Sequence, residues 1–194
     1  MIRILAAFLF SLIVGAAQAQ VPGGGGPMVP NTAPFIAGSA GSGSYGLLAK
    51  SGVASSITGT LTETILATIA LPSNLIGANG QIRVNTYWTV TNSVNNKTLR
   101  VRLGATGITS SLISSTVATT VASAWIVVAT QNLNASNSQN NFTEGSRGTD
   151  GLVNTILLTS AVDMTVLENI YITGTLANTG ETITLAGYSV EYAN

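Results

Sequence analysis

Between Gln81 and Thr91 the side chains alternate in character at almost every step, and this period-two pattern constrains the fold more than any other feature of the chain. Ile82, Val84, Thr86, Trp88 and Val90 fall on one side, and Arg83, Asn85, Tyr87 and Thr89 on the other. Successive side chains of a β-strand point to opposite faces, so the pattern describes a strand with one buried and one exposed face. Thr98 to Gly104 repeats it, with Leu99, Val101 and Leu103 opposite Arg100 and Arg102. Further β-type runs lie at Thr64 to Leu71, Ala124 to Thr130, Leu152 to Thr159, Asn169 to Leu176 and Thr182 to Tyr192, with weaker ones at Ile108 to Ile113 and Ser115 to Ala122. No long segment keeps helical spacing.

The polar stretch Thr91 to Asn96 predicts a hairpin between the first two of these strands. The implied register sets Val90 opposite Lys97, Trp88 opposite Leu99 and Thr86 opposite Val101, and brings Tyr87 against Arg100 on the outer face for a cation–π contact of about 0.5–1 kcal/mol. In the last strand the apolar parity shifts from Ile183 and Leu185 to Tyr188, Val190 and Tyr192, which predicts a bulge at Gly187. About eight strands without a helical crossover predict an all-β, antiparallel β-sandwich, most simply a jelly roll, spanning residues 56–194. Asn132 to Gly151 reads as its one long loop.

Two segments precede that domain. Met1-Ile2-Arg3, an apolar run from Ile4 to Gly15 and the small-residue box Ala17-Gln18-Ala19 predict a cleaved export signal over residues 1–19. The apolar run falls short of the roughly 20 residues a spanning helix needs. The predicted mature protein starts at Gln20 and is secreted or periplasmic, with no membrane contact after cleavage. Residues 20–55 read as a Gly/Pro/Ser-rich linker or arm: Gly23 to Gly26 are consecutive glycines, and Pro27, Pro30 and Pro34 follow. Such a segment buries too little apolar surface to offset its ordering entropy. Phe35, Ile36 and Tyr45 are its candidates for docking on a neighbour.

Charge narrows the partners. Losing Arg3 with the signal leaves six basic against seven acidic side chains, too few cations to neutralise many phosphates, which argues against nucleic acid. Only 7% of the chain is charged, against about 25–35% of the surface of an ordinary soluble domain. That deficit predicts a neutral Thr/Ser/Asn surface or self-association, with a homotrimer as the expected state and the apolar strand Trp125 to Ala129, through Ile126 or Val128, as its contact. There is no cysteine, hence no disulfide and no lipid-modified cysteine.

Catalysis has little to work with. The absence of histidine removes the usual general base and the Ser-His-Asp arrangement. Glu144, Asp150, Asp163 and Glu168 are the clustered carboxylates left for glycosidase-type chemistry, and solvated or turn-closing roles are commoner for such groups. The run Asn132 to Asn141 offers oxygen ligands for calcium without any regular spacing, so it reads as a polar loop; no metal and no cofactor are predicted. Its amides Asn140 and Asn141, with Phe142, are candidates for binding sugar hydroxyls, and Tyr87, Arg100 and Arg102 on the outer strand face are further candidate binding residues. Trp88 shares parity with apolar neighbours and reads as core. Trp125 opens Ile126-Val127-Val128 and reads as buried on both faces. Neither tryptophan is expected to be a sugar platform.

Thr62 to Ile69, Pro72, Gly77 to Arg83, Trp88 to Ser93 and Asn96 to Gly104 together resemble jelly-roll domains of bacteriophage virion proteins, of the tail-fibre-tip and head-decoration kinds. The resemblance covers about residues 60–104 and the closing strand Gly187 to Tyr192. It implies a homotrimeric protein that binds host surfaces or stabilises particles, located in the virion, and it brings no functional residue with it. The leading expectation is thus an exported, non-enzymatic structural or surface-binding protein, a virion component in kind. A carbohydrate-binding module for a cell-surface glycan is the alternative, and it requires an exposed aromatic row. An enzyme, third, requires two facing carboxylates in a cleft.

Overall fold

The computed structural model describes residues 44–144, 152–154 and 157–194. The predicted export signal and most of the predicted linker lie outside these residues, as does Asp150.

Twelve strands occur among the described residues: β1 (Tyr45–Ser51), β2 (Ser55–Thr58), β3 (Thr64–Leu71), β4 (Gln81–Val90), β5 (Lys97–Gly104), β6 (Ser111–Ala118), β7 (Ser123–Asn132), β8 (Gln139–Glu144), β9 (Leu152–Asn154), β10 (Leu157–Ser160), β11 (Glu168–Leu176) and β12 (Thr182–Ala193). They form two antiparallel sheets. The larger runs β1-β12-β4-β7-β8-β10, with β2 also paired to β12; the smaller runs β3-β11-β5-β6-β9. Setting aside β2 and the inserted β8, β9 and β10 leaves eight strands. Their orders, first–last–third–sixth and second–seventh–fourth–fifth, are those of a jelly roll. The sandwich expected from alternation is therefore present, with more strands than the sequence suggested.

The core lies where the alternation puts it. Ile82, Val84, Trp88 and Val90 of β4 meet Leu99, Val101 and Leu103 of β5 in one buried cluster with Ile126, Val128, Ile170, Ile172, Ile183, Leu185 and Val190. Trp88 is 2% exposed. Its indole N–H donates to Thr86 Oγ1 at 2.8 Å, and that hydroxyl donates to the Ile126 carbonyl at 3.2 Å, so the core residue with the largest ring leaves no polar atom unpaired.

Four expectations are corrected. β4 and β5 do not form a hairpin: β4 pairs with β12 and β7, whereas β5 pairs with β11 and β6 in the other sheet. Trp88 and Leu99 belong to the same buried cluster but lie in opposite sheets. The stretch 91–96 is a crossover, and its polar residues fasten it. Lys97, fully buried, donates to the Ser93 carbonyl and hydroxyl at 3.2 and 3.0 Å. Ser93 Oγ donates to Glu181, and Asn95 Nδ2 donates to the same carboxylate oxygen at 2.9 Å. Those two hydrogen bonds, with the Lys97 charge behind them, hold the Glu181 carboxyl below its ordinary value. The crossover is thereby tied to the turn between β11 and β12.

The second correction concerns Tyr45–Ser51, which fell in the predicted linker and is a strand paired with β12. Tyr45 docks on its own chain. Third, Ile126 and Val128 point into the core of their own sandwich and offer no subunit contact. Fourth, β8 occupies what read as loop. Its inward side chains are Gln139, Asn141 and Thr143, all buried.

The bulge at Gly187 is present as a register shift between Leu185 and Gly187 in the β12–β4 pairing. A Cβ at Gly187 would stand 2.8 Å from the Ser51 carbonyl oxygen, so the position also lets the end of β1 approach β12.

Glu168 is the anomaly of the core. It begins β11 with the parity of Ile170 and Ile172, is 8% exposed, and its Oε2 has no hydrogen-bond partner. Burial, and then the nearby Asp163 charge, raise its carboxyl above the ordinary value of 4.5. A raised carboxyl binds its proton more tightly folded than unfolded, so stability falls as pH rises from that ordinary value through the folded one. Glu168→Gln copies the neutral form. The variant is expected to melt higher than wild type at pH 7 and to lose that advantage below about pH 4, which thermal denaturation at the two pH values checks.

Candidate functional site

Alternation along β4 sends Arg83, Asn85 and Tyr87 to the outer face of the larger sheet, and the register of β7 sets Trp125 directly opposite Tyr87. The two rings lie nearly parallel, 4° apart in plane with centroids 6.4 Å apart. Tyr87 is 48% exposed and Trp125 38%. On the other side of Tyr87 its partner is Gly187, which has no side chain to cover the ring. The result is an open aromatic strip two strands wide. Trp125 is thus not buried on both faces, as the run Trp125-Ile126-Val127-Val128 suggested. Ile126 to Ala129, which follow it, are buried on both faces as that run suggested, and the tryptophan is the exposed exception.

Polar groups lie beside the strip on the same face. Two residues along β4, Asn85 Nδ2 donates to Ser189 Oγ at 3.0 Å. Two further on, Arg83 stands opposite Glu191, and Glu191 accepts a hydrogen bond from the Tyr45 hydroxyl at 2.7 Å. That bond, chiefly, holds the Tyr45 phenol above its ordinary value. Tyr45, Gln81, Arg83, Glu191, Tyr192 and Ala193 line a cleft of about 80 Å³.

The residues singled out from sequence are dispersed by the fold. Tyr87 is in the aromatic strip. Phe142, exposed, and Asn140, half-buried, share its sheet face on β8, where Phe142 pairs with Ala129. Asn141 is fully buried and faces inward, with Nδ2 donating to the Leu158 carbonyl at 3.3 Å and to Ser160 Oγ at 3.1 Å. It fastens β8 to β10 and is not available to a ligand. Gln139 does similar work nearby, bonding the Val162 carbonyl and amide at 2.9 Å each.

Arg100 and Arg102 lie on the outer face of the smaller sheet, away from Tyr87. Both are engaged by Glu63: Arg102 Nε and Nη2 reach its two oxygens at 2.7 and 2.9 Å, and Arg100 Nη1 reaches it at 3.0 Å. Thr173 Oγ1 adds a hydrogen bond at 2.6 Å. Burial alone would raise the Glu63 carboxyl, but the bonds from Arg102 and Thr173 and the charges of both arginines hold it below its ordinary value. The bidentate geometry makes this a structural clamp. The predicted Tyr87–Arg100 contact does not form.

Of the carboxylates considered for catalysis, Asp163 and Glu168 have side chains among the described residues. Asp163 Oδ1 accepts from the Thr165 amide at 2.9 Å and hydroxyl at 2.6 Å, closing its own turn, and Glu168 is buried. Sequence reading missed Trp125, Tyr45, Arg83 and Glu191. For Trp125 the signal existed: given Ile126 and Val128 inward, the tryptophan before them must face out.

No protein-family model matches this chain, and no curated protein does. Solved structures with some likeness include the CBM2 module of the evolved Dit protein of Lactobacillus casei BL23 phage J-1. It is 12% identical, with a TM-score of 0.35 over 66% of this chain and 68% of that one. Another is lectin I of Ulex europaeus, solved with the methyl glycoside of α-L-fucose: 10% identical, TM-score 0.38, covering 78% of this chain and 92% of the lectin.

Proposed function

We propose that this protein is a non-enzymatic β-sandwich that binds glycan on the outer face of its larger sheet, with Tyr87 and Trp125 as the platform. The parallel, exposed ring pair is the observation that carries the reading. Exposed aromatic surface costs solvation free energy unless something covers it, and an apolar patch rimmed by polar groups is characteristic of a ligand surface. The C–H face of a sugar ring matches such rings, while its hydroxyls match the amide and hydroxyl of Asn85 and Ser189. This takes up the carbohydrate-binding alternative, whose requirement was an exposed aromatic row. Export through residues 1–19 and tethering by the segment that follows fit a protein meeting glycans outside the cell.

Self-association is the second reading, favoured by Leu47, Phe142 and Leu157, which are also exposed on this face. Electrophoresis of the native protein through gels containing cellulose derivatives, chitin derivatives, xylan, mannan or dextran tests the first reading, and light scattering the second. Retardation by one or more polymers is expected. A protein that no polymer retards, and that scatters as a closed oligomer, would transfer the face to subunit contact.

A further inference from the structure

We infer that the aromatic pair is one end of a longer track, and that the ligand is an extended glycan chain of about three units or more lying along β4 and β12, not a single terminal sugar. The inference rests on the platform reading and adds a second contact region to it. Outward residues on one strand are about 6.7 Å apart, so Arg83 lies roughly 13 Å from Tyr87 along β4, and Gln81 roughly 20 Å. A ring stacked on Tyr87 and Trp125 cannot reach that far; a chain of several rings can.

The chemistry of the far end suits a sugar edge. Glu191 uses one lone pair for the Tyr45 hydroxyl, and a carboxylate has about four acceptor sites, so it can take further hydroxyl hydrogens. Arg83 and the Gln81 amide supply donors from the adjacent strand, and Tyr45, 58% exposed, adds a third aromatic surface. A cleft of about 80 Å³ admits the hydroxyl-bearing edge of a ring while the rest of the chain runs on across the face. Between the two ends, the bonded pair Asn85 and Ser189 retains acceptor and donor capacity for an intermediate unit. The same β4 alternation that builds the core thus lays out an aromatic contact, a neutral polar contact and a charged polar contact in line.

Calorimetric titration of the full chain with cello-, chito-, xylo- and malto-oligosaccharides of one to six units tests this. Affinity for the recognised series should rise about tenfold or more between the disaccharide and the tetrasaccharide and then level off. The double variant Arg83→Ala, Glu191→Gln, chosen so that neither charge is left facing the other's absence, should bring the tetrasaccharide down to the disaccharide's affinity and leave the disaccharide unchanged. Its unfolding midpoint confirms that it is folded. Should the double variant unfold, Gln81→Ala provides the same comparison with a smaller expected loss. Equal affinity for mono- and tetrasaccharide, or a tetrasaccharide indifferent to these changes, overturns the extended track while leaving the platform standing. Failure of every series rejects platform and track together.

Discussion

Replacing Trp88 by alanine is expected to lower the stability of the domain by about 3–5 kcal/mol, the cost of removing a large buried aromatic side chain. The ring is 2% exposed and sits on the core face between Leu185 of β12 and Ala124 of β7. Small neighbours such as Ala124 cannot close the space left behind. The indole N–H is also the donor to Thr86 Oγ1, so the substitution strips a buried hydroxyl of a partner as well as opening a cavity. Against a typical total of about 5–15 kcal/mol, the loss takes a large part of the domain's stability. Urea unfolding should show the midpoint falling sharply with an unchanged slope. A change well under 1 kcal/mol would mean that Trp88 is not in the core. Trp88→Phe, which keeps most of the volume, should lose much less.

That Trp88 is core was legible because alternation states which side of a strand a residue occupies. Alternation does not state which strand lies next door. The segments of β3, β4, β5, β11 and β12 and the bulge at Gly187 all follow from local pattern, since each is a property of one strand. The placing of β4 and β5 in different sheets did not, because a short polar stretch satisfies a hairpin and a sheet-to-sheet crossover equally well. In the crossover, Ser93 and Asn95 bond Glu181, nearly ninety residues away in sequence, and Lys97 bonds Ser93 from beneath. A lysine at a core position also breaks the usual rule that such residues lie outside. Only its partners make the position tolerable.

The candidate site was partly hidden for the opposite reason. β8 carries polar residues inward, Gln139 and Asn141 among them, and so presents a loop-like composition while behaving as a strand. Reading Asn141 as ligand-facing mistook internal fastening for recognition. Arg100 and Arg102 looked available because Glu63 lies 37 residues before the first of them. Trp125 looked buried because three apolar residues follow it. For Arg100, Arg102 and Trp125 the residue's own strand was identified correctly, and its partner across the fold determined whether it was free to bind.

The second large effect is expected at Trp125, and it should be the reverse of the first. Trp125→Ala removes an outward ring, so stability should change by no more than about 1 kcal/mol, near the worth of an aromatic pair. Glycan binding should fall by about thirtyfold or more, the factor that corresponds to the roughly 2 kcal/mol carried by a central aromatic contact. Tyr87→Ala should weaken binding in the same direction, and Trp125→Phe should restore part of it. The chain has two tryptophans, one buried and one exposed, which makes the measurement direct. Adding the polymer or oligosaccharide that binds wild type should shift the emission of the exposed ring while the buried one stays constant as an internal reference. In Trp125→Ala that response should vanish, with the Trp88 emission and the unfolding curve intact. A folded Trp125→Ala protein that binds as well as wild type would remove the platform, because among the described residues no other pair of aromatic rings on the face lies side by side in parallel.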